Sequence, residues 1–341
     1  MSKRSGHFPS HLDRIRQGVS PIEVTSIPHA RWPLPPPSFP PHQSPHLNIS
    51  ILDSSFNPPT LAHLALANIP LSTAFPCTHN PPTPDCCNFH AKLFLLSVRN
   101  ADKSLKPGDA NYDQRMGMMA RLAQDVKDDI SPGHDDIPMA NANEGRKRYD
   151  YYRGSNTAVA LIDEPTFVGK ARILLEFFHK ILSSKIPSPD SAIDKSSNDN
   201  EASLDSDWRT IVPDLTFIVG IDTLERLFAP RYYLSEEDMH QRLSQFLSPD
   251  GDNCRVICAR RVTPGVAEYE REREVIEAAK KFIDTNRIAL VDIPVDVRMF
   301  SSSETRAAIL ADSPHWTTMV TPLIAEYITQ QDLYSHWQSP H

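Results

Sequence analysis

Short apolar runs punctuate the chain, and most are followed by stretches whose apolar residues recur every three to four positions. The runs cover 47–52, 93–98, 158–162, 215–219, 255–258 and 288–293. Brief, rich in Ile, Leu and Val, and bounded by turn residues, they read as strands. Helical spacing predicts helices from Leu61 to a stop at Pro70, over 112–126, over 167–182 and over 267–283, with two more starting near Ser302 and Thr318. Met116, Met119, Leu122 and Ala123 share one face of the second, and Ala171, Leu174, Leu175 and Phe178 one face of the third. Strands apolar on both faces, alternating with helices, predict an α/β fold with a doubly wound parallel sheet covered on both sides.

Three segments lack either period. Residues 1–46 carry Pro33, Pro35 to Pro37, Pro40 and Pro41, and read as a disordered Pro-rich arm. The polar stretches 128–155 and 183–207 read as flexible inserts in one domain spanning 47–335. The 31 Pro and 11 Gly agree with a normally packed core diluted by such segments.

So few glycines make several exclusions quick. No G-x-G arrangement and no G-x-x-x-x-G-K-[ST] occurs, which removes the dinucleotide fingerprint, the kinase Gly-rich loop and the P-loop. G-x-S-x-G and H-E-x-x-H are absent too. A net charge of −8 argues against a nucleic-acid partner, and no apolar run has membrane-spanning length. Five cysteines, an odd count, fit a reducing compartment. Lys3, Arg4, Arg14 and Arg16 read as part of a plain tail rather than a mitochondrial transit peptide, so the expected location is cytoplasm or nucleus.

Chemistry gathers where strands end, the place ligands occupy in open α/β sheets. After the first strand comes Asp53-Ser54-Ser55-Phe56-Asn57-Pro58-Pro59-Thr60-Leu61-Ala62-His63. Thr60 as N-cap puts His63 at N3, so a hydroxyl and an imidazole stand at a helix N-terminus that favours anions. Phe300-Ser301-Ser302-Ser303-Glu304-Thr305-Arg306 has capping-box spacing, with hydroxyls and Arg306 beside the free N–H groups. Gly220-Ile221-Asp222 follows the fourth strand; Gly220 permits close backbone approach, and Asp222 either accepts from ribose or caps a helix. Singly, each cluster also reads as an ordinary helix start.

In this order the clusters resemble the nucleotidylyltransferases that carry an (H/T)-x-G-H motif. Within them the likeness is to the nicotinamide mononucleotide adenylyltransferases, and most to a fungal, promoter-of-filamentation-like branch. The resemblance implies a Rossmann-like fold and attack of a nucleotide monophosphate on the α-phosphate of ATP, with Mg²⁺ sharing the phosphate charge. It implies His63 at the transferred phosphate assisted by Thr60, and Ser303, Glu304, Thr305 and Arg306 at the triphosphate. Ser54, Ser55 and Phe56 would form the nucleotide-facing turn, and Gly220 and Asp222 would meet ribose or base. Lys103 and Arg260 are weaker candidates by position after their strands, and Phe167 sits where the family often stacks an aromatic.

Two family glycines are replaced here, by Ser54 and Ala62, and Thr305 stands for a branched apolar residue. Other readings stay open: a different acceptor or triphosphate, as in a cytidylyltransferase, or a nucleotide-binding regulatory protein whose Pro-rich arm docks a protein partner. Cys77, His79, Cys86, Cys87 and His90 match no standard zinc spacing, and no resident metal site is expected. Cys254 and Cys258 read as small core residues.

Overall fold

The structure, a computed structural model, describes residues 10–35, 45–76, 87–99, 108–127, 155–184, 211–260 and 266–335. Its seven strands form one sheet in the order β1-β4-β3-β2-β5-β6-β7. They are β1 (Ile22–Ser26), β2 (His46–Asp53), β3 (Ala91–Ser97), β4 (Thr157–Ile162), β5 (Val212–Gly220), β6 (Arg255–Arg260) and β7 (Ile288–Asp292). Every pairing from β4 through β7 is parallel, and β1 alone runs antiparallel, along β4. Counted from β2, the parallel order is 3-2-1-4-5-6, a Rossmann-like α/β fold whose chain reverses direction of growth between β2 and β5.

Alternation along each strand separates two cores. Ile49, Ile51, Leu93, Leu95, Ala158, Ala160 and Phe217 face one side, with Leu174 and Phe178 packed over them. Leu52, Phe94, Leu96, Val159, Leu161 and Ile218 face the other, against Met118, Met119, Leu122, Ile324 and Ile328. Both sets are almost wholly removed from water, so the period-two pattern is apolar in both phases, as a doubly covered sheet requires.

The ten α-helices among the described residues are α1 (His11–Arg16), α2 (Leu61–Ala67), α3 (Leu71–Ala74), α4 (Tyr112–Asp125), α5 (Phe167–Ser184), α6 (Ile221–Leu227), α7 (Glu236–Leu247), α8 (Val266–Asp284), α9 (Ser302–Leu310) and α10 (Pro322–Gln330). The last starts later than Thr318: Pro314–Thr318 is a 3-10 turn, and Pro322 takes the first helical position, where its missing N–H costs nothing.

One sequence expectation is corrected. The N-terminal segment is not a featureless arm over residues 10–35. Ser10 and Asp13 close a capping box on α1, and β1 extends the sheet with Ile22 opposite Ile162. Trp32, 2 % exposed, packs on Phe178 at 5.7 Å between ring centres. Asn156 Nδ2 donates to the carbonyls of Pro33 and Leu34 at 3.0 and 3.3 Å. Ile15, Ile22, Trp32 and Leu34 are too sparse to make a period, and they find burial only on surfaces that distant residues build. The inserts expected at 128–155 and 183–207 lie outside the described residues, except that Ser155 starts the approach to β4 and α5 runs on to Ser184.

Candidate functional site at the strand-order reversal

Where β2 and β5 end side by side, a cleft of about 780 Å³ opens. Ser54, Ser55, His63, Gly220, Asp222, Ser303 and Arg306 all line it. Residues from three separate parts of the sequence thus meet at one mouth.

The turn after β2 sets the first wall. Phe56 takes a left-handed backbone (φ 45°) and buries its ring completely against His63 and Phe94, at 5.4 and 5.6 Å between ring centres. It supports the imidazole from behind and does not line the cleft. Thr60 caps α2 and His63 stands at N3. His63 fills the place that Glu or Gln has in a capping box: its Nδ1 accepts the Thr60 backbone N–H at 3.0 Å. Thr60 Oγ1 also lies 3.0 Å from Nδ1, and Thr60 is fully buried, so its hydroxyl addresses the ring and not the cleft. With Nδ1 accepting, the neutral ring carries its proton on Nε2, which faces Ser54 Oγ at 3.0 Å. His63 is only 8 % exposed, and both it and Ser54, the partner of Nε2, line the cleft.

The second wall is the start of α9. Ser301 caps it, and Glu304 answers by accepting from the Ser301 backbone N–H (3.1 Å) and hydroxyl (2.9 Å). Glu304 is therefore spent on the cap, and it does not line the cleft. Ser302 Oγ donates to the Pro58 carbonyl at 2.7 Å, joining the helix to the β2 turn across 244 residues of sequence. Arg306 donates to the Asn57 carbonyl and approaches Ser303 Oγ at 3.4 Å. Thr305 points inward, donating to the Ser301 carbonyl at 2.9 Å, and is wholly buried. Its hydroxyl finds a partner within its own helix, which is how a polar residue occupies an apolar position there.

Beneath these walls lies a polar lattice that sequence reasoning missed. Asp109 accepts from Asn57 Nδ2 at 2.7 Å and stands 3.5 Å from Arg115 and 3.8 Å from Arg306. Arg115 also donates to the carbonyls of Ala110 (2.8 Å) and Ser55 (3.4 Å). Tyr334, from beyond α10, donates to Asn57 Oδ1 at 2.9 Å. Burial pulls the Arg115 guanidinium below its ordinary value while Asp109 opposes the shift, and burial pushes the Tyr334 phenol well above its own. Single polar residues in polar stretches gave no sequence signal for this network.

The third wall is β5 and α6. Gly220 caps α6, so Asp222 is not the cap but the second helical residue, exposed at the cleft. A Cβ at Gly220 would meet nothing within 4 Å, because the cleft itself lies there. Phe167 lines the cleft as well, while its ring packs edge-on to Phe217 at 5.8 Å.

Two candidates fall elsewhere. Arg260 ion-pairs with Asp292 at 2.7 Å and does not line the cleft. Lys103 lies outside the described residues, as do Cys77, His79 and Cys86. His90 is buried and accepts the Asn48 backbone N–H at 2.9 Å, and no group of three metal-ligating side chains occurs among the described residues. Cys254 and Cys258 are buried, and burial pushes the Cys258 thiol up to about 12. No helix among the described residues is long and apolar enough to cross a membrane.

No family model matches the chain, and no curated protein does. Among solved structures it is similar to Plasmodium falciparum nicotinic acid mononucleotide adenylyltransferase complexed with APC, at 16 % identity and a TM-score of 0.41, over 85 % of this chain and 98 % of that one. Likeness at that level assigns no activity.

Proposed function

We propose that this chain transfers the adenylyl group of ATP to nicotinamide mononucleotide, giving NAD and pyrophosphate. One observation carries the reading: the Nε2–H edge of His63, the N-terminus of α9 with Ser303 and Arg306, and the Gly220–Asp222 turn share one cleft at the strand-order reversal. Such a reversal is where open α/β sheets bind nucleotides.

In this reading no covalent enzyme intermediate forms. The acceptor phosphate attacks the α-phosphorus in line, and pyrophosphate leaves on the opposite side. His63 Nε2–H donates to an α-phosphate oxygen, exchanging Ser54 Oγ for a ligand that gains charge in the transition state. The first N–H groups of α9, Ser303 and Arg306 hold the leaving phosphates. Backbone at Ser54 and Ser55 borders the phosphates, and Asp222 accepts from a ribose hydroxyl. Thr60 and Phe56 act through the ring of His63, holding its tautomer and its plane.

Asp53, Asp109 and Asp222 are the cleft carboxylates, but the first two are already paired with Lys170 and with Arg115 and Arg306. That donor set fits Mg²⁺ arriving on the triphosphate, with phosphate and water as most of its ligands, rather than a protein cage. When bound it neutralises charge on the phosphates.

Pyrophosphate release from ATP and Mg²⁺, with and without nicotinamide mononucleotide, tests the reading when the product is identified as well. Acceptor-dependent release with NAD formed supports it. ATP binding without turnover on any mononucleotide supports the regulatory reading instead, which the Ser54 hydroxyl on Nε2 favours.

A further inference from the structure

The cleft holds a second charged group that phosphate chemistry does not use. Asp53 shares a face with Ile49 and Ile51, the α5 side of the sheet, whereas His63 and α9 belong to the other side. There Asp53 forms an ion pair with Lys170 of α5. The two side chains are 8 % and 5 % exposed, yet both residues border the cleft. Phe167 stands beside them, its ring centre 5.0 Å from Lys170 Nζ, and Tyr232 and Tyr233 line the same cavity. Removing two charges from water generally costs more than their pairing returns, so such a pair is a poor device for stability alone.

Charge is arranged differently in the two halves. On the α9 side, Arg115 and Arg306 share Asp109. On the α5 side, Lys170 faces Asp53, and Arg99 at the rim faces Asp163 at 2.6 Å. The first half suits phosphates. The second is aromatic, and its buried charges are one carboxylate acceptor beside one ammonium donor, while Asp222, which is exposed, and Arg226 border it from α6. Since pyrophosphate leaves toward α9, an in-line acceptor comes from the α5 side.

We propose that the Asp53–Lys170 pair selects an acceptor whose aromatic ring carries an uncharged carboxamide, and rejects the corresponding carboxylate. A carboxamide offers an N–H donor to Asp53 and a C=O acceptor to Lys170, so both buried charges keep a partner. A carboxylate would meet the Asp53 charge where little water screens it, while its attraction to Lys170 is already cancelled. This rests on the mononucleotide-acceptor reading above and adds the residues that choose between two acceptors of equal size and ring structure.

The test compares kcat/KM for nicotinamide mononucleotide and nicotinic acid mononucleotide on the full chain with ATP and Mg²⁺. The wild type is expected to favour the amide at least tenfold. Asp53→Asn leaves Lys170 uncompensated, and should move the acid-to-amide ratio at least tenfold toward the acid. Should that variant not fold, as judged by thermal melting, Asp53→Asn with Lys170→Gln keeps a donor and an acceptor without charge and should reduce the discrimination to about threefold or less. A merely structural pair would alter both acceptors alike and leave the ratio unmoved. Equal use of both acceptors by the wild type, or an unmoved ratio in whichever variant folds, overturns the proposal while the transfer reading stands. No turnover with either acceptor overturns both.

Discussion

The backbone N–H of Thr60 donates to Nδ1 of His63 at 3.0 Å, and this single bond decides which imidazole nitrogen can donate. The ring is thereby a fixed hydrogen-bond donor at Nε2, not a general base toward Ser54. A donor held before substrate arrives is what stabilisation of a charged phosphoryl group requires.

Replacing His63 by Ala removes that donor. Acceptor-dependent pyrophosphate release should fall about 100-fold or more, the usual loss for one such donor. ATP affinity, measured by calorimetry, should change far less. Turnover within tenfold of the wild type would sink the assignment.

Ser54→Gly frees Nε2–H from its hydroxyl partner. A neutral hydrogen bond has a net worth of about 1 kcal/mol, so KM for ATP should fall about fivefold if the hydroxyl competes with phosphate. Steady-state kinetics decide this; a raised KM would mean that Ser54 helps to hold the nucleotide.

Arg306 joins α9 to the Asn57 carbonyl while reaching Ser303 at the cleft. Lys has the charge but not the planar fork. Arg306→Lys should therefore weaken ATP binding by about tenfold and lower the melting temperature, and neither effect should vanish at low salt. Unchanged binding would place the triphosphate elsewhere.

Alkaline stability follows from groups whose protonated form the fold favours. Burial raises the Cys258 thiol to about 12 and the Tyr334 phenol well above its ordinary range. A raised folded-state pKa gives stability that is fully present below the unfolded value and lost above it. For thiols that decline begins near pH 8.5, and for phenols near pH 10, at up to about 1.4 kcal/mol per pH unit for each group. Cys258→Ala should flatten the decline of unfolding free energy between about pH 9 and 11, as read by denaturant titration. An unaltered slope would show that the thiol is not protonated by burial.

Trp32→Ala should destabilise the protein by about 3–5 kcal/mol, as for other buried Trp truncations. An effect below about 1 kcal/mol would return residues 10–35 to the role of a dispensable arm.

The sequence by itself determined the order and kind of the main elements. Six apolar runs became the six parallel strands because strands buried on both faces must be apolar in both phases, and no polar phase is needed to recognise them. The helix starts at Thr60 and Ser301 were legible too, because capping is local chemistry between residues three apart. Tertiary structure alone decided which residues share a space. It brought Ser302 to Pro58 and Tyr334 to Asn57, and it buried Lys170 on Asp53, contacts between residues over a hundred positions apart. It turned Thr305, Glu304 and Arg260 away from the cleft, because helix phase and nearby carboxylates or carbonyls satisfied them first. It also recruited residues 10–35, whose few apolar side chains gain burial only where the edge of β4 and the side of α5 already exist. Local pattern reports what a segment can form, whereas burial and pairing depend on surfaces that come into being only when the sheet closes.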